Sequence, residues 1–334
     1  MELDWRQRRL IAFLSTVLGI LVAAVLLVAG LRYYQHRQRL ASAAETSPAA
    51  GTATQYAYTA LTYSNGSTTL SFTVDPEKDR WIWADDPDFP LDERAVTELC
   101  SLAADMKPQQ TLTPEDTMEA YQLDDPQIYL TLVDAGGTST TFTFGKTTTD
   151  GTSYYALKNG DESTVYIYDG AVVEKLSVPI YSMMELPVLP ALTGKTLVSI
   201  TFDGEVPTVL TAQRSDGGGE EEATWRSGGA NVTDSPAVQG LLRELETLTL
   251  DRCVDYKPTA EAVSLCGFDT PAAQVEAVYR TEGGAEQAFT LTVGAQSLGG
   301  SGRYIRIGGD DTVYEAAADS LTNLLAIAAG GLEG

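Results

Sequence analysis

Histidine is nearly missing from this chain: His36 is the single one in 334 residues, and it stands in a basic stretch ahead of the folded part. That scarcity excludes a Ser-His-Asp triad, a Cys-His pair or a multi-histidine zinc site from the folded part. Cysteine is almost as rare, and Cys100, Cys253 and Cys266 show neither Cys-x-x-Cys nor another metal-ligand spacing. Cys100 falls on the apolar stripe of an expected helix. Cys253 and Cys266 are close enough in sequence to pair, but buried thiols are favoured over a disulfide, since free cysteine behaves as a small buried hydrophobe. No Gly-x-x-x-x-Gly-Lys-Ser/Thr loop occurs; Gly217-Gly218-Gly219 runs into Glu220-Glu221-Glu222, whose charge repels phosphate, and reads as a hairpin tip. Basic residues are outnumbered, 22 Lys and Arg against 46 Asp and Glu, for a net charge of -24.

The charge is unevenly placed. Six arginines against Glu2 and Asp4 give residues 1–40 a net of +4 and leave -28 for residues 41–334. An acidic body of that size repels nucleic-acid phosphates and anionic lipid headgroups, so no nucleic-acid partner is expected. Leu10 to Leu31 contains no charge and, as a helix, spans about 33 Å against a hydrocarbon core of about 30 Å. Trp5 on one side, Tyr33 and Tyr34 on the other, and arginines at both ends suit the two interfaces. The lipid bilayer is therefore an expected partner, through residues 10–31. A cleaved signal peptide ending near Ala41-Ser42-Ala43-Ala44 is the competing reading; the apolar run is long for one, and basic residues intervene. Three arginines on each flank leave orientation undecided by charge, and a short tail at 1–9 with a long following domain favours a cytoplasmic N-terminus and an extracytoplasmic body.

Residues 32–55 read as a basic juxtamembrane segment and a flexible stalk, the latter small and polar from Ala41 to Gln55. The folded part begins near Tyr56, where alternating runs flank Ser64-Asn65-Gly66-Ser67, a hairpin cue. The chain then repeats at a spacing near 145. Trp81 precedes a helix with apolar positions Val96, Leu99, Leu102 and Met106, and Trp225 precedes one with Val238, Leu241, Leu242, Leu245 and Leu248, started by Asp234-Ser235-Pro236. Tyr121-Gln122-Leu123-Asp124-Asp125-Pro126 answers to Cys266-Gly267-Phe268-Asp269-Thr270-Pro271, Phe144-Gly145 to Val293-Gly294, Tyr154-Tyr155 to Arg303-Tyr304, and Val165-Tyr166 to Val313-Tyr314. The expected fold class is α+β: an N-terminal transmembrane helix followed by two tandem repeats of antiparallel β-meander plus helices, at 56–185 and 186–330, with Pro179 to Pro190 as connector.

Taken in order and spacing, Trp81, Phe89-Pro90-Leu91-Asp92, the Leu-Asp-x-Pro turn at 123–126, Gly145, and the Tyr154-Tyr155 and Val165-Tyr166 strands resemble the domain-of-unknown-function 4340 family. The resemblance covers roughly residues 70 to 325 in two copies. It implies a membrane-anchored bacterial envelope protein that partners an ABC-type export permease or a gliding-motility-type auxiliary subunit. The second copy departs from the pattern at Cys266, where the first has Tyr121, and at Gly228-Gly229-Ala230-Asn231, which replaces Phe-Pro-Leu; by that comparison the second copy lacks any shared binding role.

Local chemistry offers a few further candidates. Asp85, Asp86, Asp88, Asp92 and Glu93 could supply oxygens to Ca²⁺ but lack the order of a calcium loop, and Asp92 with Glu93 suits a helix N-terminus. Arg303-Tyr304-Ile305-Arg306-Ile307 reads as a strand placing both arginines on one face, a possible anion site against the commoner solvent-facing arginine pair. Trp81 and Trp83 share a strand face and suit packing better than a sugar platform. No pair stands out among the 44 acidic residues after position 40 as a glycosidase pair. No catalytic, cofactor-binding or metal-binding residue is assigned, and no cofactor is expected. The leading expectation is a non-catalytic, extracytoplasmic adaptor or scaffold; the alternatives are a ligand-binding module for wall glycan or a divalent cation, and a carboxylate-based envelope hydrolase.

Overall fold

A computed structural model describes residues 56–333 except 205 and 215–222. The apolar segment 10–31, the flanking tail and stalk, His36 and the Gly217-Gly218-Gly219 stretch lie outside the described residues. Among the described residues, no helix is long and apolar enough to cross a membrane.

The described chain is mostly β-sheet with few helices, arranged as two antiparallel sheets. The first contains β1 (Tyr58–Asn65), β2 (Thr69–Asp75), β3 (Arg80–Trp83), β4 (Gln110–Leu112), β5 (Ile128–Asp134), β6 (Ser139–Thr147), β7 (Ser153–Lys158) and β8 (Val165–Asp169). Its order is β3-β2-β1-β5-β6-β7-β8-β4. After β3 the chain runs through helix α1 (Glu93–Ala104) to the far edge at β4, then through α2 (Met118–Tyr121) back to the centre at β5. The β1–β2 hairpin turns where the sequence suggests: Gly66 takes φ 89°, and the Asn65 side chain accepts the Ser67 and Thr68 amides at 3.0 and 2.9 Å. Leu61, Tyr63, Leu70, Phe72, Leu130, Leu132, Phe142 and Phe144 form the core face and are nearly inaccessible to solvent.

The second sheet comprises β9 (Leu197–Asp203), β10 (Thr208–Gln213), β11 (Thr224–Ser227), β12 (Ala230–Asn231), β13 (Arg252–Asp255), β14 (Ala273–Arg280), β15 (Glu286–Gln296), β16 (Gly302–Ile307) and β17 (Val313–Ala317). Its order is β12-β11-β10-β9-β14-β15-β16-β17-β13. Remove β12 and the two orders coincide position by position, so the repeat read from spacing is a repeat of topology. The helices follow the same plan: α3 (Gly170–Lys175) closes the first unit, while α4 (Pro236–Thr247), α5 (Ala260–Leu265) and α6 (Thr322–Gly330) belong to the second. Val238, Leu241, Leu242 and Leu245 of α4 are buried, the stripe that its apolar spacing predicts. Glu244 reaches from α4 to the start of α6, where its carboxylate accepts the Asn323 and Leu324 amides at 2.7 and 2.9 Å, a favourable place for negative charge.

The contacts divide the described residues otherwise than by one cut at 185/186. Residues 56–85 and 97–176 form the first unit; residues 86–96 and 177–333 form the second. The segment that precedes α1 is thus built into the second unit. Leu91 bridges Met184, Asp92 N donates to Met183 O at 2.8 Å, and Glu185 N donates to Pro90 O at 2.8 Å. Phe89 stacks on Tyr181 with ring centroids 6.4 Å apart and meets Tyr256 edge-on at 5.1 Å. The proline-bearing connector accordingly includes buried Met183 and Met184.

Candidate functional site

One corner of each sheet is built twice on the same backbone plan. Where β4 adds to β8, Gln109 N donates to Ile167 O at 2.8 Å; where β13 adds to β17, Asp251 N donates to Glu315 O at 2.7 Å. The hairpins joining β6 to β7 and β15 to β16 close with Thr148 N to Ser153 O at 2.8 Å and Ser297 N to Gly302 O at 2.9 Å. The two corners can therefore be compared residue by residue.

In the first unit Gln110 pairs with Ile167, and Ile167 with Tyr155, across neighbouring strands. The side chains leave an open groove of about 300 Å³ lined by Gln109, Gln110, Thr148, Thr149, Asp150, Ser153, Tyr155 and Ile167. Its polar groups are held by one another. Ser153 Oγ, in a buried residue, donates to Gln109 Oε1 at 3.0 Å, and Gln109 Nε2 donates to Asp169 Oδ2 at 3.3 Å. Asp169 also caps α3 by accepting the Ala171 amide. Asp150 accepts the hydroxyls of Thr148 and Thr152 and the Thr152 amide, and these bonds, the Thr148 hydroxyl foremost, hold its carboxyl below the usual carboxylate range.

In the second unit the corresponding row is Arg252, Glu315 and Tyr304. Glu315 is buried, accepts Ser297 Oγ at 2.8 Å and ion-pairs with Arg252. Gly302 stands where the first unit has Ser153, and a Cβ there would run into the Glu315 side chain. Here the corner is filled and neutralised from within.

The candidates raised from sequence fall elsewhere. Asp86 ion-pairs with Lys257 at 2.6 Å, and that bond lowers the Asp86 carboxyl. Asp92 accepts the Arg94 amide at 3.0 Å and pairs with the Arg94 guanidinium, which lowers its own carboxyl, so the acidic run is joined to cations and to the start of α1. Among the described residues, no group of three or more His, Cys, Asp or Glu is placed to hold a metal ion. The shared face expected for Arg303 and Arg306 is corrected. They lie three apart on the regular strand β16, and a strand turns successive side chains to opposite faces. Arg303 donates to Gly294 O at 3.3 Å, while Arg306 pairs with Asp311 at 2.6 Å and lies over the Phe268 ring. Trp81 is buried, edge-on to Tyr56 with centroids 6.0 Å apart.

All three cysteines are buried free thiols. Burial pushes Cys100 up to about 12 from 9.0, and burial with Asp255 and Asp310 nearby does the same for Cys253. Burial also raises Tyr63 to about 12 from 10.0. The folded chain keeps these groups protonated where the unfolded chain ionises, so the stability they confer is intact below about pH 9 and is lost as pH climbs toward about 12. The melting temperature is expected to fall steeply over that window. At about pH 8, a thiol-specific disulfide reagent should titrate the cysteines only after urea has unfolded the chain. Prompt reaction of the folded protein would contradict the burial.

The sequence profile of a domain of unknown function, DUF4340, matches residues 81–230 and again residues 225–328. The chain belongs to the DUF4340 family. The first match leaves out β1 and β2 and runs from β3 to β12, the second runs from β11 into α6, so the family's pattern occurs twice along the chain, and the corner with its open groove lies within the first match. No curated protein and no solved structure matches the chain.

Proposed function

We propose that this DUF4340 protein is a non-catalytic adaptor, tethered to the membrane by residues 10–31, with its sheet units outside the cytoplasm. Its partner is a membrane protein complex, an export permease or an auxiliary subunit of gliding-motility type, as the family resemblance implies. One observation supports the non-catalytic part: among the described residues, the carboxylates and thiols singled out as candidates are engaged in structure. Asp86 and Asp92 are paired with Lys257 and Arg94, Glu315 with Arg252, and the thiols are buried. Asp150, the carboxylate of the groove, is held ionised, the reverse of what a general acid requires. A hydrolase built on a carboxylate pair gains no support from that arrangement.

The test is cross-linking of the full-length protein in cells followed by mass spectrometry, beside a version whose Leu10 to Leu31 segment is replaced by an unrelated span. Recovery of permease or auxiliary subunits, weakened in the replaced version, is the expected result. Recovery of the protein alone would overturn the adaptor reading.

A further inference from the structure

We propose that the groove at the β4, β7 and β8 corner of the first unit binds a neutral saccharide. The inference does not depend on the adaptor reading, because it concerns a different surface chemistry and a different class of ligand.

The lining supplies what a sugar ring needs. Each sugar hydroxyl both donates and accepts, and the amides of Gln109 and Gln110 do the same, while the Asp150 carboxylate can accept from two neighbouring hydroxyls. Tyr155, braced by Tyr121 with centroids 5.0 Å apart, adds an aromatic surface and a phenol. The groove is open and mainly polar, a form that suits a hydroxyl-rich ligand better than an apolar one. These groups are fixed in advance: Gln109 is held between Ser153 and Asp169, and Asp150 between Thr148 and Thr152. Ordering them on binding therefore costs little entropy. The lining carries one carboxylate, Asp150, and no basic side chain, which disfavours phosphate- or carboxylate-bearing ligands.

The second unit shows what the same corner becomes when it is closed. Glu315 replaces Ile167, Arg252 replaces Gln110 and Gly302 replaces Ser153, and the ion pair with its serine partner occupies the place. Glu315 is buried and Arg252 is largely exposed, so the carboxylate is neutralised by a guanidinium that reaches in from the surface, a structural solution. In the first unit a neutral amide and an aliphatic side chain stand at the positions of the charged pair, and the amides, the hydroxyls and Asp150 line the groove.

The experiment uses the full chain in a detergent without a sugar headgroup and measures saturation-transfer NMR and titration calorimetry with tetramers of N-acetylglucosamine, glucose and mannose. Co-sedimentation with insoluble glycan distinguishes a polymer from a soluble sugar as the source. Saturable binding of at least one tetramer is expected, weakened about tenfold or more by Gln110→Ala or Asp150→Asn, which is a loss of roughly 1.4 kcal/mol. Leu298→Ala, at an exposed position on the matching hairpin of the second unit, should leave binding unchanged. Three results would overturn the proposal: no binding of any tetramer by the folded protein, binding indifferent to both first-unit variants, or tighter binding of a phosphorylated tetramer.

Discussion

Replacing Gly145 by alanine is expected to destabilise the first unit by about 2–4 kcal/mol, lowering its melting temperature by roughly 10 °C. The reason is contact and not backbone angle, since Gly145 does not adopt a positive φ. A Cβ built there lands well inside the Tyr121 carbonyl oxygen and lies 2.9 Å from Gln122 O and 3.0 Å from Leu123 Cγ. Those atoms are backbone and core, so they cannot turn aside as a flexible side chain would. The glycine also stands where the pairing of β6 with β7 shifts register between Phe144 and Thr147, a bulge that brings the strand against the turn after α2. Gly294 repeats the arrangement: its Cβ would meet the Cys266 carbonyl and lie 3.1 Å from Phe268 Cε1, at the register shift between Val293 and Gln296. Gly294→Ala should therefore produce a loss of similar size in the second unit. Calorimetry of both variants checks the pair, and an unchanged melting curve for either would mean that the close approach is not maintained. Gly151, with nothing within 4 Å of its built Cβ but a φ of 73°, serves as a contrast: Gly151→Ala should cost only about 1 kcal/mol, from backbone strain alone.

These glycines show how much of the fold could be read without coordinates. The phrases around Gly145 and Gly294 recur because each must fit a strand bulge under a turn, and a constraint of that kind prints itself on the sequence twice. The α4 stripe and the Asn65-Gly66 hairpin were legible for the same reason: period and turn chemistry are local. The groove was not. Gln110 comes from a strand dozens of residues before the hairpin strands that carry Tyr155 and Ile167, and none has a recognisable pattern on its own; the signal was the comparison of Gln110 with Arg252 and of Ile167 with Glu315 once the repeat was aligned. The arginines of β16 went astray through a misapplied period, since residues three apart share a face on a helix and not on a strand. In the acidic run 85–93 the Arg94 partner of Asp92 is local and the helix start was legible, whereas the Lys257 partner of Asp86 lies far along the chain and was not.

The largest departure from a sequence-local reading is the segment before α1, and it carries the second strong expectation. Phe89 is 2 % exposed and lies against Tyr181 and Tyr256. By position it belongs to the first repeat; by contact it belongs to the second unit. Phe89→Ala removes a ring from between two others that cannot both follow it inward, and is expected to cost about 3–5 kcal/mol, with Phe89→Leu costing roughly 1–2 kcal/mol. Location matters more than size here. Hydrogen exchange should show lost protection at Asp92 and Glu185, whose amides bond to Met183 and Pro90, and at β13 beside Tyr256, while β5 and β6 keep theirs. The ion pair of Asp86 with Lys257 is exposed and screened by solvent, so breaking it by Lys257→Ala should cost far less than Phe89→Ala. A second unit produced from residue 177 onward lacks only residues 86–96 and should be less stable than the same unit in the intact chain, by at least the Phe89→Ala loss. If exchange instead rises in β5 and β6 of the Phe89→Ala protein, the segment is serving the first unit, and the division of the chain drawn from its contacts is wrong.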